Sequence, residues 1–444
     1  FLKVLNWSTA LSNYSYYFLL LPLALFSSNI MIRFLAPDAE GHGTEKVIEA
    51  IHKHSGRIKA IVVPVKLVAT VITIAAGGSV GKEGPCAQIG GGLSSVFADL
   101  FKFDDDDRKK LVICGISAGF ASVFGTPIAG SIFGIEVLFI GSILYDVLLP
   151  SFIAGIISYQ VSSTLGITYF HHPLTFHPVF SELFFIKIVI AGIFFGICSY
   201  MLIEGLTLGE KLSKFLLEWM KSLKKLPRRI QISQSLISII GGLILVSLSL
   251  IFSKQYLGLG LGTIESSLDG GKAVWYAFIL KIIFTSITLN FGGSGGIVTP
   301  IFFIGASAGD LFAQILKLDI ATFSAIGLVS VLAGAANTPI AASIMAVELF
   351  GTEIVPYAAV ACVISFLMTG HRSVYPSQVL AFKKSSSIQV EIGKEIEGIL
   401  PEFLPRKKSL IGTVSNIIRI LKENWKKRRG NDTALSNIKR NGKD

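Results

Sequence analysis

The sequence predicts an all-α, polytopic membrane protein built as an inverted repeat, with broken helices whose N-termini meet near the bilayer midplane. Three observations carry this. The 444 residues are 51% hydrophobic and only 16% charged, against about 25% charged in a soluble domain. Apolar runs of roughly twenty residues, long enough for a hydrocarbon core about 30 Å thick, recur from end to end. They do not alternate apolar with polar, which excludes a β-barrel. The chain also repeats itself. Gly81–Pro85 is followed by Thr126-Pro-Ile-Ala-Gly-Ser-Ile132 and Glu136, and Gly292–Pro300 by Thr338-Pro-Ile-Ala-Ala-Ser-Ile344 and Glu348. Glycine- and proline-interrupted helices at matching positions of two halves mark an inverted-repeat transporter. Positive helix N-termini at the centre suit an anion.

The elements follow in order. Residues 15–36 are the first apolar run, broken by Ala36–Gly43. Thr44–Ile51 reads as a short amphipathic helix and His52–Lys59 as a basic, cytoplasmic loop. A second run, Ala60–Ala76, leads into a glycine-rich stretch, Gly77–Gly92, and then a short run rich in small residues, Ile89–Phe101. Small residues favour helix–helix contact over lipid. Asp104–Lys110 reads as a solvated helix start, whose acids suit the dipole, rather than a cation site. Residues 111–141 hold two apolar segments separated at Gly125-Thr-Pro127, and 143–165 and 186–206 are further spans. After them come spans or half-spans at 232–253, 273–290, 297–316, 322–336, 339–350 and 354–370.

This gives a first half over 1–206, a basic cytoplasmic linker over 207–231, an inverted second half over 232–382 and a basic cytoplasmic tail over 383–444. Ile411–Trp425 within the tail reads as a surface helix, and the chain is expected to begin in a loop, as if an N-terminal helix preceded it. The net charge of +11 does not point to nucleic acid, because Lys and Arg concentrate in 211–229 and 406–444. Basic residues beside spans mark the cytoplasmic side, so both termini are expected there, in a multi-pass cell-membrane protein. The four cysteines stand singly, without metal-ligand spacing.

Within Gly77–Gly92, Lys82 and Glu83 lie between apolar runs. A charge at membrane depth is costly and a functional candidate by default. The amides around Glu83 and Gly84 are unpaired donors at a helix start. A phosphate-binding loop would need glycine at 76 and Ser or Thr at 83, where Ala76 and Glu83 stand, so a nucleotide site fails. His171, His172 and His177 share a loop without supporting ligands, so no metal site is expected.

On these residues the chain resembles the CLC family of chloride channels and chloride/proton antiporters. Gly81-Lys-Glu-Gly-Pro85 is similar to the G(K/R)EGP motif, Gly296-Ile-Val-Thr-Pro300 to GxFxP, and Gly41-His-Gly-Thr-Glu45 stands where GSGIP is expected. Arg372-Ser-Val-Tyr375 resembles the terminal tyrosine motif, and the order holds over about 15–382. The resemblance implies a fold of tilted, broken helices and a homodimer with one pore per subunit. It implies no enzyme activity and no cofactor, with chloride or a similar small anion, and possibly protons, as the transported species. Glu83 would be the gate. The amides of Glu83 and Gly84 would hold an outer anion, with Lys82 beside them, and those of Ile297 and Val298 a central one. The Tyr375 hydroxyl would donate to the central anion, alongside the His42–Gly43 turn.

Three departures qualify this. His42 replaces the family's serine donor, either pointing an imidazole N–H at the anion or leaving that task to a backbone amide. Thr44 and Glu45 replace the closing Ile-Pro, and Val298 replaces phenylalanine. The family's antiporters carry a Glu-Glu pair where this chain has Glu136-Val137. Val137 carries no proton, which resembles the channel branch. Passive chloride conduction gated by Glu83 is therefore expected, with antiport by another proton route, or fluoride export, as alternatives. Glu136 and Glu348 match across the repeat and are expected to be buried structural acids.

Overall fold

A computed structural model describes residues 1–10, 14–174, 181–223, 230–384, 388–396 and 402–403. Its helices are α1 (Leu2–Ser8), α2 (Leu21–Leu35), α3 (Thr44–Lys53), α4 (Val62–Ala75), α5 (Glu83–Leu100), α6 (Asp105–Phe124), α7 (Pro127–Glu136) and α8 (Leu148–Thr164). Then follow α9 (Glu182–Leu223), α10 (Ile230–Ile251), α11 (Leu261–Leu268), α12 (Ala277–Asn290), α13 (Val298–Leu316), α14 (Ile320–Ala336), α15 (Pro339–Phe350) and α16 (Val355–Met368).

The two halves match element for element, α2–α8 on α10–α16, with α9 between them. Among the described residues four helices are long and apolar enough to cross a bilayer, within Tyr17–Leu35, Tyr145–Thr164, Glu182–Met220 and Val298–Leu316. Several others, such as α4, α12 and α15, are shorter apolar pieces. Several runs that read as spans or half-spans are thus apolar helices of 10–17 residues.

The repeat is written in caps and contacts as well as in helices. The Asp104 carboxylate caps α6 by accepting from the Asp107 amide at 2.8 Å, and Asp319 caps α14 from the Thr322 amide at 2.8 Å. Asp105 pairs with Arg57 and Asp106 with Lys109, so the acidic run is spent on a helix start and surface pairs. Arg57 bonding holds the exposed Asp105 carboxyl below its ordinary range. α6 ends at Gly125 (φ 73°) and α14 at Asn337 (φ 58°), both left-handed. A proline at the first position then restarts each chain as α7 or α15, where its missing N–H costs nothing. The α5–α6 and α13–α14 pairs close on glycines: a Cβ on Gly90 would lie 2.2 Å from the Gly115 carbonyl oxygen, and one on Gly305 2.4 Å from that of Gly327. Small residues let the backbones touch where a hydrophobic drive between helices is absent.

Four expectations change. Leu2–Ser8 is helical rather than loop. α5 begins at Glu83, six residues before the apolar run that announced it. α9 continues to Leu223, so most of the expected linker 207–231 is helix. There an amphipathic pattern takes over from the apolar one, with Glu210 and Lys214 paired one turn apart at 2.5 Å. α11 carried too much glycine and polarity to be read as a helix. The Ile411–Trp425 helix and most of the tail lie outside the described residues.

Candidate anion pathway

The N-termini of α5 and α13 meet head to head. Just before them, Gly81 and Gly296 exchange two backbone hydrogen bonds, each 2.6 Å. Flanking pairs repeat across the same axis: the Ser79 amide donates to the Thr288 hydroxyl and the Ser294 amide to the Thr73 hydroxyl, both at 3.1 Å. Neither α5 nor α13 has a side-chain cap of its own. The first-turn amides of each, including Glu83, Gly84, Ile297 and Val298, therefore point into the junction as donors.

Glu83 is the first residue of α5 and is 1% exposed. Its carboxylate crosses to the start of α13, where the Thr299 amide donates to Oε2 at 3.1 Å and the Thr299 hydroxyl to Oε1 at 2.5 Å. A carboxylate thus sits where the positive end of α13 would hold an anion. Glu83 does not pair with its neighbour Lys82. Lys82, the residue before α5, is half-buried and joins no ion pair among the described residues. Thr299 was not singled out in the sequence, since its partner comes from the other half of the chain.

The α3 N-terminus closes the junction from a third side. A Cβ on Gly84 would lie 2.0 Å from the His42 carbonyl oxygen, and one on Gly43 2.5 Å from that of Gly84. These positions admit only glycine, and Gly43 also has φ +86°. The buried Lys66 ammonium fixes the preceding loop by donating to the carbonyls of Ala39 (3.1 Å) and Gly41 (2.6 Å). Its counterpart Lys281 donates to those of Tyr256 (3.1 Å) and Gly258 (2.9 Å). His42 lines a cavity of about 410 Å³ together with Arg33, Glu40, Glu210, Lys214 and Asn290.

Tyr375 is fully buried, its ring 5.5 Å from that of His42. Its segment is held by a hub that the sequence did not reveal. The Tyr375 amide donates to the Ser373 hydroxyl at 2.9 Å, and that hydroxyl to Gln378 Oε1 at 2.6 Å. Gln378 Nε2 in turn donates to the carbonyls of Val137 (2.7 Å) and Ala336 (2.8 Å), at the ends of α7 and α14. The Val137 side chain is fully buried in the apolar core, so this position contributes a backbone anchor and no titratable group.

Among the described residues, four buried polar atoms around this point have no hydrogen-bond partner: His42 Nδ1, the Thr44 hydroxyl, Glu45 Oε2 and the Tyr375 hydroxyl. The Thr44 and Tyr375 hydroxyls lie close together. Buried polar groups are normally paired; the Thr44 and Tyr375 hydroxyls beside these helix starts are donors that suit an anion, whereas the Glu45 oxygen is an acceptor. Thr44 is the residue the sequence reading passed over; its signal was a hydroxyl at the first position of α3, one residue beyond the Gly43 turn.

The repeat acids do separate work. Glu136 accepts from the Ile340 and Ala341 amides at 3.0 and 2.8 Å, capping α15. Glu348 accepts from the Ile128 and Ala129 amides at 2.9 and 2.8 Å, capping α7. Each half thus supplies the cap of the other. Among the histidines, His171 bonds the Glu348 carbonyl and His172 faces Asp269, while His177 lies outside the described residues. Among the described residues no group of His, Cys, Asp and Glu could hold a metal ion.

An inverted helical repeat with partial spans and opposed, uncapped helix N-termini defines a membrane transport protein for a small anion. Residues 23–370 match the family described as voltage gated chloride channel, and the chain belongs to it. It is a multi-pass membrane protein of anion transport, of a family that is not enzymatic and uses no cofactor. A "Chloride/fluoride channel protein" of Pseudomonas syringae pv. tomato is 36% identical over 82% of this chain and 79% of its own length. The "Voltage-gated ClC-type chloride channel ClcB" of Shigella flexneri is 28% identical over 70% of this chain and 74% of its own. Among solved structures, a CLC-type fluoride/proton antiporter superposes with TM-score 0.77 at 28% identity, covering 85% of this chain and 92% of the other. A slow cyanobacterial Cl⁻/H⁺ antiporter, at TM-score 0.66 and 22% identity over 83% and 88%, shares the fold.

Proposed function

We propose that the chain conducts small anions passively through the junction of α3, α5 and α13, with chloride as the ion and Glu83 as the gate. The observation that carries this is the Glu83 carboxylate bonded to the Thr299 amide and hydroxyl. An anion and this carboxylate compete for the same donors, so conduction requires the carboxylate to leave, on protonation or displacement. The amides of Glu83 and Gly84 on one side and of Ile297 and Val298 on the other offer several weak donors rather than one full charge, which lets the ion leave again. Lys82 adds a positive charge at the gate, and the Tyr375 hydroxyl, the Thr44 hydroxyl and the His42–Gly43 turn face the anion from the α3 side. Passive flow is supported by Val137, which has no proton to pass on. The family resemblance supports a homodimer with one pathway per subunit and both termini in the cytoplasm.

The second reading is proton-coupled export of fluoride. It is favoured by the two relatives whose names include fluoride, one of them an antiporter. Purified protein in lipid vesicles separates the two. Passive conduction gives chloride efflux, followed with a chloride electrode, and no uphill proton movement on an internal pH dye. Uphill proton movement driven by the anion gradient would sink the passive reading, and fluoride efflux far outrunning chloride would reassign the ion.

A further inference from the structure

Glu45 is an acid beside the junction that the proposed gate does not use. It stands on the first turn of α3, two residues past the Gly43 turn. Its Oε1 accepts from the Ser377 amide at 2.9 Å and from the Ser377 hydroxyl at 2.5 Å. This ties the carboxyl group to the segment that carries Tyr375. Its Oε2 is buried and has no partner. Lys46, the next residue, is bonded to Glu49 at 2.8 Å, and Glu45 joins no ion pair among the described residues. Its titratable neighbours are Glu49 on α3 and Tyr375, which also feels the charge of Glu83 on α5, with His42 three residues before it in the chain. The matching position in the second half is Gly262, beside Leu261 where Thr44 stands, so the repeat does not require an acid here.

A buried carboxylate oxygen with no donor is unfavourable, by about 1–3 kcal/mol for an unmet buried group and more when charged. A proton on Oε2 removes the charge and turns the same atom into a donor. The hydroxyls of Thr44 and Tyr375 lie close to each other, and Tyr375 feels the Glu45 charge, so an anion here is a ligand to which all three groups can donate. We propose that Glu45 is a second proton-binding residue of the pathway: as a carboxylate it repels an anion from the Thr44–Tyr375 hydroxyls, and as a carboxylic acid it donates a hydrogen bond to that anion. Proton and anion then bind together, each raising the affinity for the other, as linkage requires. No bond is broken; the proton comes from water and returns to it.

This rests on the reading of the junction as an anion site, and the test separates the two. Chloride is titrated calorimetrically into full-length Glu83→Gln protein, which removes the gate's own titration, across pH 5 to 8 in buffers of different ionisation heat. Chloride affinity is expected to rise as pH falls, with close to one proton taken up per chloride near neutral pH. Adding Glu45→Gln, which keeps an oxygen for Ser377, is expected to abolish the uptake and flatten the profile, while His42→Asn keeps the proton uptake whatever it does to chloride affinity. Chloride binding without proton uptake in Glu83→Gln protein, or uptake lost with His42→Asn and kept with Glu45→Gln, overturns the proposal. The first of these outcomes needs no Glu45 variant to fold. Absence of any chloride binding overturns the anion-site reading instead.

Discussion

The two halves of the molecule share a scaffold and differ where chemistry is proposed. Lys66 and Lys281 anchor equivalent loops through two carbonyls each. Asp104 and Asp319 cap equivalent helices, and Glu136 and Glu348 cap each other's half. At the junction the likeness stops. Lys82 and Glu83 face Ile297 and Val298, and His42, Thr44 and Glu45 correspond to Leu259, Leu261 and Gly262. The backbone donors are therefore contributed twice, by two helix starts, while the groups able to change charge are contributed once. A symmetric frame with an asymmetric set of acids suits a pathway whose ends must respond differently to protons.

The largest effect is expected from the residue that breaks the symmetry most. In Glu83→Gln the bond from the Thr299 amide survives, but the charge that strengthens it is gone. Hydrogen bonds to charged groups contribute about 1.5–3 kcal/mol against about 1 for neutral ones. Loss of that difference weakens gate occupancy by roughly tenfold or more, since each 1.36 kcal/mol is a factor of ten. Chloride efflux from vesicles at neutral pH should then match the level the native protein reaches only in acid, and its pH dependence should flatten. The sign follows from the geometry: protonation removes the negative charge from the α13 N-terminus, so native flux rises as pH falls. Val298→Ala, at the matching position, should keep the native pH profile. A Glu83→Gln protein that keeps both the native efflux level at neutral pH and the native pH profile would remove the gate from Glu83.

Next come the paired lysines. Lys66→Met and Lys281→Met each leave two buried carbonyls without a donor, at about 1–3 kcal/mol per group. Thermal midpoints in detergent should fall substantially and by similar amounts in both. Only Lys66 sits beside the His42–Gly43 turn, so only its loss should also weaken chloride binding measured by calorimetry. Equal losses of affinity in both variants would erase the functional contrast between the halves.

Much of this frame was legible in the chain. The repeated Thr-Pro-Ile-Ala segments gave the inverted topology, because proline at a helix start and a glutamate at its end are local requirements of each half. Glu83 stood out because a charge between apolar runs has few structural excuses. What stayed hidden depends on residues brought together by the fold. Thr299 and Glu83 come from opposite halves, and Gln378 reaches Val137 across the chain, so no spacing announces either bond. The α5 start was masked by glycines and by Glu83 itself, which read as loop until the opposed α13 supplied partners. α9 ran past its expected end because its last turns are held by amphipathic pairing rather than by apolar content.

The smallest effect is expected at Glu136 and Glu348, and it bears on whether the acids of the repeat are scaffold or pathway. Each carboxylate accepts from two amides at a helix start in the other half, which is what a capping acid does, and the geometry leaves neither with a free oxygen aimed at the junction. Gln offers one acceptor in place of two and no charge to meet the helix dipole, so one amide in each helix start loses its partner. Loss of a cap costs about 1 kcal/mol. Glu136→Gln and Glu348→Gln should therefore lower the thermal midpoint slightly and alike, with chloride flux and its pH profile unchanged. Glu136 precedes Val137, the position where the family's antiporters carry their proton-transferring acid, and this makes it the sharper of the two. A Glu136→Gln protein with native stability but altered proton movement would show that the neighbouring acid had taken over that role. The passive reading would then fall with the symmetric assignment of the two caps.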